Sequence, residues 1–176
     1  MRTDALGRPM TRLAAGLCLA TMLCACGPRA ADLGSSRDLG LNVEPGTGPV
    51  VTETEAVDGL KDYLAAAGDA ATSGDLTQLR DRTDPFCPCQ ALVDYLDAAL
   101  ESGHHFDGVV YEASDLTVLG TGRGTAQLRA QVQVSAYEVR NATGAVIDEQ
   151  PAQNYEAAYS LQRQGGVLVV VDVKQK

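Results

Sequence analysis

From Gln127 to Ala136 the chain alternates without a break. Leu128, Ala130, Val132, Val134 and Ala136 are apolar, and Gln127, Arg129, Gln131, Gln133 and Ser135 are polar. Successive side chains of an extended strand point to opposite faces, so the pattern predicts a long antiparallel strand, buried on one face and wet on the other. A strand of that kind needs partners. Val109 to Leu119 reads as one, separated from it by a turn at Gly120–Gly124. Tyr155, Ala157, Tyr159 and Leu161 alternate again, and Val167 to Val173 (VLVVVDV) closes the set after a turn at Gln164-Gly165-Gly166. Asn141–Gly144 reads as a hairpin loop. At Tyr137 and Val139 the apolar phase moves to odd-numbered positions, a slip expected from a bulge that bends the strand and curves the sheet.

Helices precede the strands. Thr52-Glu53-Thr54-Glu55 combines a capping hydroxyl with first-turn acids. Ala56, Val57, Leu60, Tyr63, Leu64, Ala67 and Ala71 then recur at three and four, predicting a helix over about 55–72. Ser73-Gly74-Asp75 stops it and opens a short second helix through Leu76 and Leu79. After Asp84-Pro85-Phe86-Cys87-Pro88-Cys89 a third helix carries Ala91, Leu92, Tyr95, Leu96, Ala99 and Leu100 on one face and ends near Gly103. Helices first and long antiparallel strands after predict one α+β domain over 51–176, with N-terminal helices packed on a curved antiparallel sheet.

The first 25 residues are of another kind. Arg2, Arg8 and Arg12 precede the apolar run Leu13–Leu23, which has the length of an export signal and is too short to span a bilayer. Leu23, Ala25 and Cys26 then resemble the bacterial lipoprotein signature: an aliphatic residue, a small residue at the cut and a cysteine that takes the lipid. Cys24 between them is a departure, since Ala, Ser or Thr is usual there. Residues 1–25 are therefore expected to be a signal peptide and Cys26 the lipidated first residue of the mature chain. Acyl chains anchor at about 0.8 kcal/mol per buried CH₂. Residues 26–50 are rich in Gly, Pro, Ser and Asp without apolar period and read as a flexible tether. The expected location is the extracytoplasmic face of a cell membrane.

Net charge is −9, from 14 Lys+Arg and 23 Asp+Glu. Loss of residues 1–25 removes three Arg and one Asp and leaves the rest more acidic still. Such a surface repels phosphates, and no basic run interrupts it, which excludes nucleic acid as a partner.

Few residues invite a chemical role. Cys87 and Cys89 are expected to form a disulfide after export, as a local clip on a helix start. Redox exchange is the alternative, but it lacks the Cys-x-x-Cys spacing. His104 and His105 would complete a soft-metal site with these thiols only if their side chains converged, and neighbours in a strand point apart. Asp107 and Asp115 do not extend the set. Tyr111, Tyr137, Tyr155 and Tyr159 are the candidates for binding a small apolar ligand in a pocket between sheet and helices. The stretch Gly120–Gly124 (GTGRG) lies between strands, where a phosphate loop would open a helix. No carboxylate pair falls on one face, so no catalytic residue, metal or cofactor is assigned.

The layout resembles the cone-shaped α+β fold of the nuclear-transport-factor-two and ketosteroid-isomerase superfamily. Over about residues 52–174 it is also similar to a family of actinobacterial lipoproteins with no established activity. The likeness rests on the lipoprotein signal and tether, Ser73-Gly74-Asp75-Leu76 at a helix end, Phe86-Cys87-Pro88-Cys89 at the next helix start, and Val171-Asp172-Val173 near the close. The chain has no Trp, which such families often place before the last strand. The resemblance speaks to the fold and not to chemistry; the expected function, read from the signal and the lack of a catalytic set, is a non-enzymatic, membrane-anchored envelope lipoprotein that binds a protein partner or a small apolar ligand. The alternative is a redox or metal-handling factor using Cys87 and Cys89, or an enzyme using the cone pocket.

Overall fold

The computed structural model describes residues 48–176. The expected signal peptide, Cys26 and the expected tether up to residue 47 lie outside them. The last residues assigned to the tether are already held by the domain. Gly124 N donates to Pro49 O at 2.9 Å and Val51 N to Gly122 O at 3.0 Å, while Val50 bridges Arg123.

Three helices come first: α1 (Glu53–Ser73), α2 (Thr77–Asp81) and α3 (Gln90–Glu101). Helix α1 starts two residues earlier than its apolar period suggests, because Thr52 and Glu55 close a reciprocal capping box. Arg163 also reaches Glu55, at 2.9 Å. The Thr52 backbone N–H, then Arg163, hold the Glu55 carboxyl down at about 2. The helix ends at Gly74, whose φ of 79° is the left-handed cap that glycine takes without steric cost. None of the described helices is long and apolar enough to cross a membrane.

Seven strands follow: β1 (His105–Asp107), β2 (Tyr111–Gly122), β3 (Thr125–Val134), β4 (Tyr137–Arg140), β5 (Val146–Gln150), β6 (Gln153–Gln164) and β7 (Val167–Gln175). They form a four-stranded sheet, ordered β2-β3-β6-β7, and a three-stranded one, ordered β1-β4-β5, and every paired strand is antiparallel. The alternation of β3 appears as predicted, with its even-numbered residues buried. Strand β2 runs on through Gly120 and Thr121, so only Arg123 and Gly124 separate it from β3. The phase slip at Tyr137 is not a bulge within one strand. The chain leaves one sheet there and enters the other. Ser135 fixes the corner: its N–H donates to Val110 O, its hydroxyl donates to Gly108 O, and that hydroxyl accepts from Val110 N. Bulges occur elsewhere, in β2 on either side of Thr117–Val118, with Asp115 at φ 50°, and at Ser160/Leu161.

Helix α1 lies across the four-stranded sheet on Leu60, Tyr63, Leu64, Ala67, Ala70 and Ala71, all buried. The approach is close, since a Cβ on Gly59 would meet Leu168 Cβ at 3.0 Å. The edge of β7 is covered by the segment before α3. Val170 N donates to Arg82 O and Asp84 N to Val170 O, each at 2.9 Å. Cys87 and Cys89 are joined in a disulfide and are 4% and 0% exposed. Cys89 Sγ sits 3.7 Å from Val170 O. The pair thus clips the start of α3 against β7.

A three-residue ring restricts the unfolded chain only modestly, by about 1.5 kcal/mol in the loop-entropy model. Replacing both cysteines with alanine is expected to lower the unfolding free energy by about that much, read as a lower denaturant midpoint at unchanged slope, while the far-ultraviolet circular dichroism stays native. Collapse of the whole fold, or no change in midpoint, would show that the clip has another role.

Candidate functional site

Five tyrosines converge in the interior of the cone. Tyr63 comes from the buried face of α1, Tyr111 opens β2, Tyr137 opens β4, and Tyr155 and Tyr159 lie two turns of the pleat apart on β6. With Gln153 and apolar side chains of α1, α3, β3 and β7 they line one cavity. All four tyrosines singled out in the sequence therefore meet. Tyr63 was legible only as a member of a helix face. Its signal was size, for it is the one aromatic in a helix whose other buried residues narrow to Ala66, Ala67, Ala70 and Ala71.

Register explains the meeting. Tyr155 opposes Val132 and Tyr159 opposes Leu128, both on the buried face of β3. Tyr159 meets the edge of Tyr63 with ring centroids 6.4 Å apart, which ties helix to sheet. Tyr137 joins a second aromatic row through Phe106, at 6.2 Å, and Tyr95, at 6.0 Å from Phe106, so α3 holds β1 and β4.

The aromatic rings nearly fill the space they enclose. The cavity is about 20 Å³, room for one water rather than for a drug-sized ligand. Its wall carries no carboxylate and no imidazole. The Tyr155 hydroxyl bonds with Tyr159 and Gln175. Burial pushes the phenols of Tyr63, Tyr111 and Tyr159 well up, and that of Tyr155 up to about 12. At neutral pH these groups are protonated donors. The wall can orient a polar atom by hydrogen bonding but has no group poised to take a proton.

The other sequence candidates do not join this site. The disulfide sulfurs are enclosed, which removes the access that exchange with another thiol needs. His104 and His105 follow the far end of α3, a twelve-residue helix about 18 Å long, so that helix separates them from Cys87 and Cys89. Among the described residues no three His, Cys, Asp or Glu side chains gather as metal ligands. Asp107 instead pairs with Arg140 at 3.4 Å. The Gly120–Gly124 stretch is sheet and hairpin turn, without a following helix.

The phenols set an alkaline limit. In the unfolded chain tyrosine ionises near pH 10, and the folded values of the four lie above it. Their stabilisation is complete below pH 10 and is lost as pH rises toward 12, by about 1.4 kcal/mol per pH unit for each buried phenol. Tyrosinate absorbance is therefore expected to rise in the same cooperative step as the loss of circular dichroism. Titration of all six tyrosines near pH 10 with the fold intact would contradict the burial.

No family model and no curated protein matches the chain. Solved structures do. The intermembrane space region of the chloroplast protein ARC6 superposes at a TM-score of 0.57 and 10% identity, over 72% of this chain and 98% of that one. Looser likenesses are an NTF2-like protein from Shewanella baltica OS155 (TM-score 0.45, 13% identity, 72% of this chain and 96% of that one) and a protein with a cystatin-like fold from Nostoc punctiforme PCC 73102 (0.44, 10%, 70% and 88%). At such identities the likeness is one of fold, and the fold is α+β, helices on antiparallel sheet in a cone-like arrangement.

Proposed function

We propose that this chain is a non-enzymatic binding domain of the bacterial cell envelope, anchored through a lipid on Cys26 to the extracytoplasmic face of the membrane, and that it presents its outer surface to a protein partner. The observation that carries the binding reading is the filled cone. The interior of the cone, where a carrier or enzyme of this shape would enclose its substrate, is occupied by tyrosines down to about 20 Å³. Their wall offers neither base nor nucleophile-and-base pair, which supports binding over catalysis. The anchor rests on the Leu23-Cys24-Ala25-Cys26 sequence alone. A disulfide at Cys87–Cys89 suits an oxidising compartment, and its burial supports a structural role for it over a redox one.

A second reading is favoured by one observation, the convergence of five phenols on one cavity. In it the tyrosine rings swing apart and admit a small apolar ligand.

The test is made on the full chain in a bacterium fed an alkyne-tagged fatty acid. The unaltered chain is expected to take the label and sediment with membranes. Cys26→Ala is expected to lose both, and retained label or unchanged sedimentation would overturn the anchor. A native mass spectrum of the same purified chain distinguishes the binding readings: the bare mass supports a protein partner, and a retained small molecule supports the apolar ligand.

A further inference from the structure

The covered and uncovered sides of one loop differ sharply. In Asp84-Pro85-Phe86-Cys87-Pro88-Cys89, the cysteines point inward and are buried, while Pro85, Phe86 and Pro88 are exposed. Phe86 is 95% exposed, far beyond any other large apolar side chain among the described residues. The protein therefore sets a whole phenyl ring in solvent, whereas its other phenylalanine, Phe106, is 2% exposed.

The loop that does so is not loose. Phe86 N donates to Asp84 Oδ1 at 2.8 Å and Cys87 N to Asp84 O at 3.0 Å. Gln164 Nε2 holds the other Asp84 oxygen at 2.8 Å, and Asp84 N is bonded to Val170 O of β7. The disulfide closes the far side, and two prolines fix φ on either flank of the Phe-Cys pair. An aromatic ring on a backbone so fixed loses little entropy when it is covered, which is how interface anchors behave.

Three occupants can be weighed on charge and space. The loop and the helix residues that flank it carry Asp81, Asp84 and Asp94. Their basic residues are engaged, Arg80 by Asp97 at 2.7 Å and Arg82 by Asp62 at 3.0 Å. That acidity disfavours an anionic lipid surface. It equally disfavours a second copy of the same loop, and the tyrosine cavity has no room for a phenyl ring. A basic-rimmed apolar pocket on another protein matches both the ring and the charge.

We propose that Phe86, flanked by Pro85 and Pro88, is a preorganised anchor that inserts into an apolar pocket of a partner protein whose rim carries Lys or Arg. The proposal rests on the protein-partner reading above and names its surface, and it does not depend on the lipid at Cys26.

The test places the photoreactive residue benzoylphenylalanine at position 86 of the full chain, in cells that make it. A control chain carries it at Val146, an exposed position on β5. Irradiation is expected to give a product from 86 and none from 146, with the joined peptide lying in an apolar, Lys- or Arg-bordered segment of one other protein. With that protein purified, Phe86→Ala is expected to weaken the complex by about 10- to 100-fold at unchanged melting temperature, and added salt to weaken it further. Products with lipid, with a second copy, from both positions alike or from neither would overturn the proposal, as would an unchanged Kd for Phe86→Ala. Failure of the Cys26→Ala test with the Phe86 product intact would remove the envelope anchor and leave this surface standing.

Discussion

Burial of one face of α1 against the four-stranded sheet is the interaction on which the rest depends. That face is built mostly from Gly and Ala, so the helix lies low. Gly59 leaves no space above Leu168, and the larger side chains Leu60, Tyr63 and Leu64 cluster together, with Tyr63 meeting Tyr159. Close approach excludes water along most of the contact and leaves a single widening, where the tyrosines gather. Each buried apolar side chain there contributes on the order of 1.5–3 kcal/mol. The contact is thus shaped by one cluster of large side chains, Leu60, Tyr63 and Leu64, between runs of Gly and Ala.

The sequence made the sheet face of this contact plain and the corner obscure. Alternation in β3 and β6 fixed which residues point inward, because a one-residue error would turn the whole apolar set outward. The helix limits moved only where a polar cap outranked apolar period, as at Thr52. The slip at Tyr137 was visible, but its meaning was not. A bulge and a change of sheet both shift the phase by one residue, and what separates them is the Ser135 hydroxyl, whose partners Gly108 and Val110 are some twenty-five positions away. Short β1 and β5 left no trace because three or five residues are too few to establish a period, and β5 carries Asp148 and Glu149 within it.

The candidate site was legible in the same uneven way. Tyrosines on β2, β4 and β6 could be named because strand parity points them inward. That they meet one another, and meet Tyr63, depends on register across the sheet and on the height of α1, neither of which is a local property. Their number also reverses the first expectation of a pocket. Aromatic residues signal a binding cavity when they line space, but five of them around a small volume fill it. Phe86 was the opposite case. In the sequence it is one more apolar residue beside a cysteine, and only the inward turn of both sulfurs shows that it must face out.

The entry of the chain has a mechanical consequence. Pro49 and Val51 are bonded to Gly124 and Gly122 at the β2–β3 hairpin tip, and Arg163 N of β6 bonds to Gly124 O beside them. Tyr155 lies nine residues back along β6 from the hairpin tip at Gln164, about 30 Å away at strand spacing. A pull on the N-terminal segment would load the hairpin tip first and pass through Thr52 into the axis of α1, whose capping box ties it to Arg163. Tyr155 lies away from the loaded tip, whereas Tyr63, on α1 itself, and Tyr159 against it lie where that load is passed from helix to sheet. Tension on the N-terminal segment would thus be shared between the rim at the β2–β3 hairpin and the Tyr63–Tyr159 contact that ties α1 to the sheet.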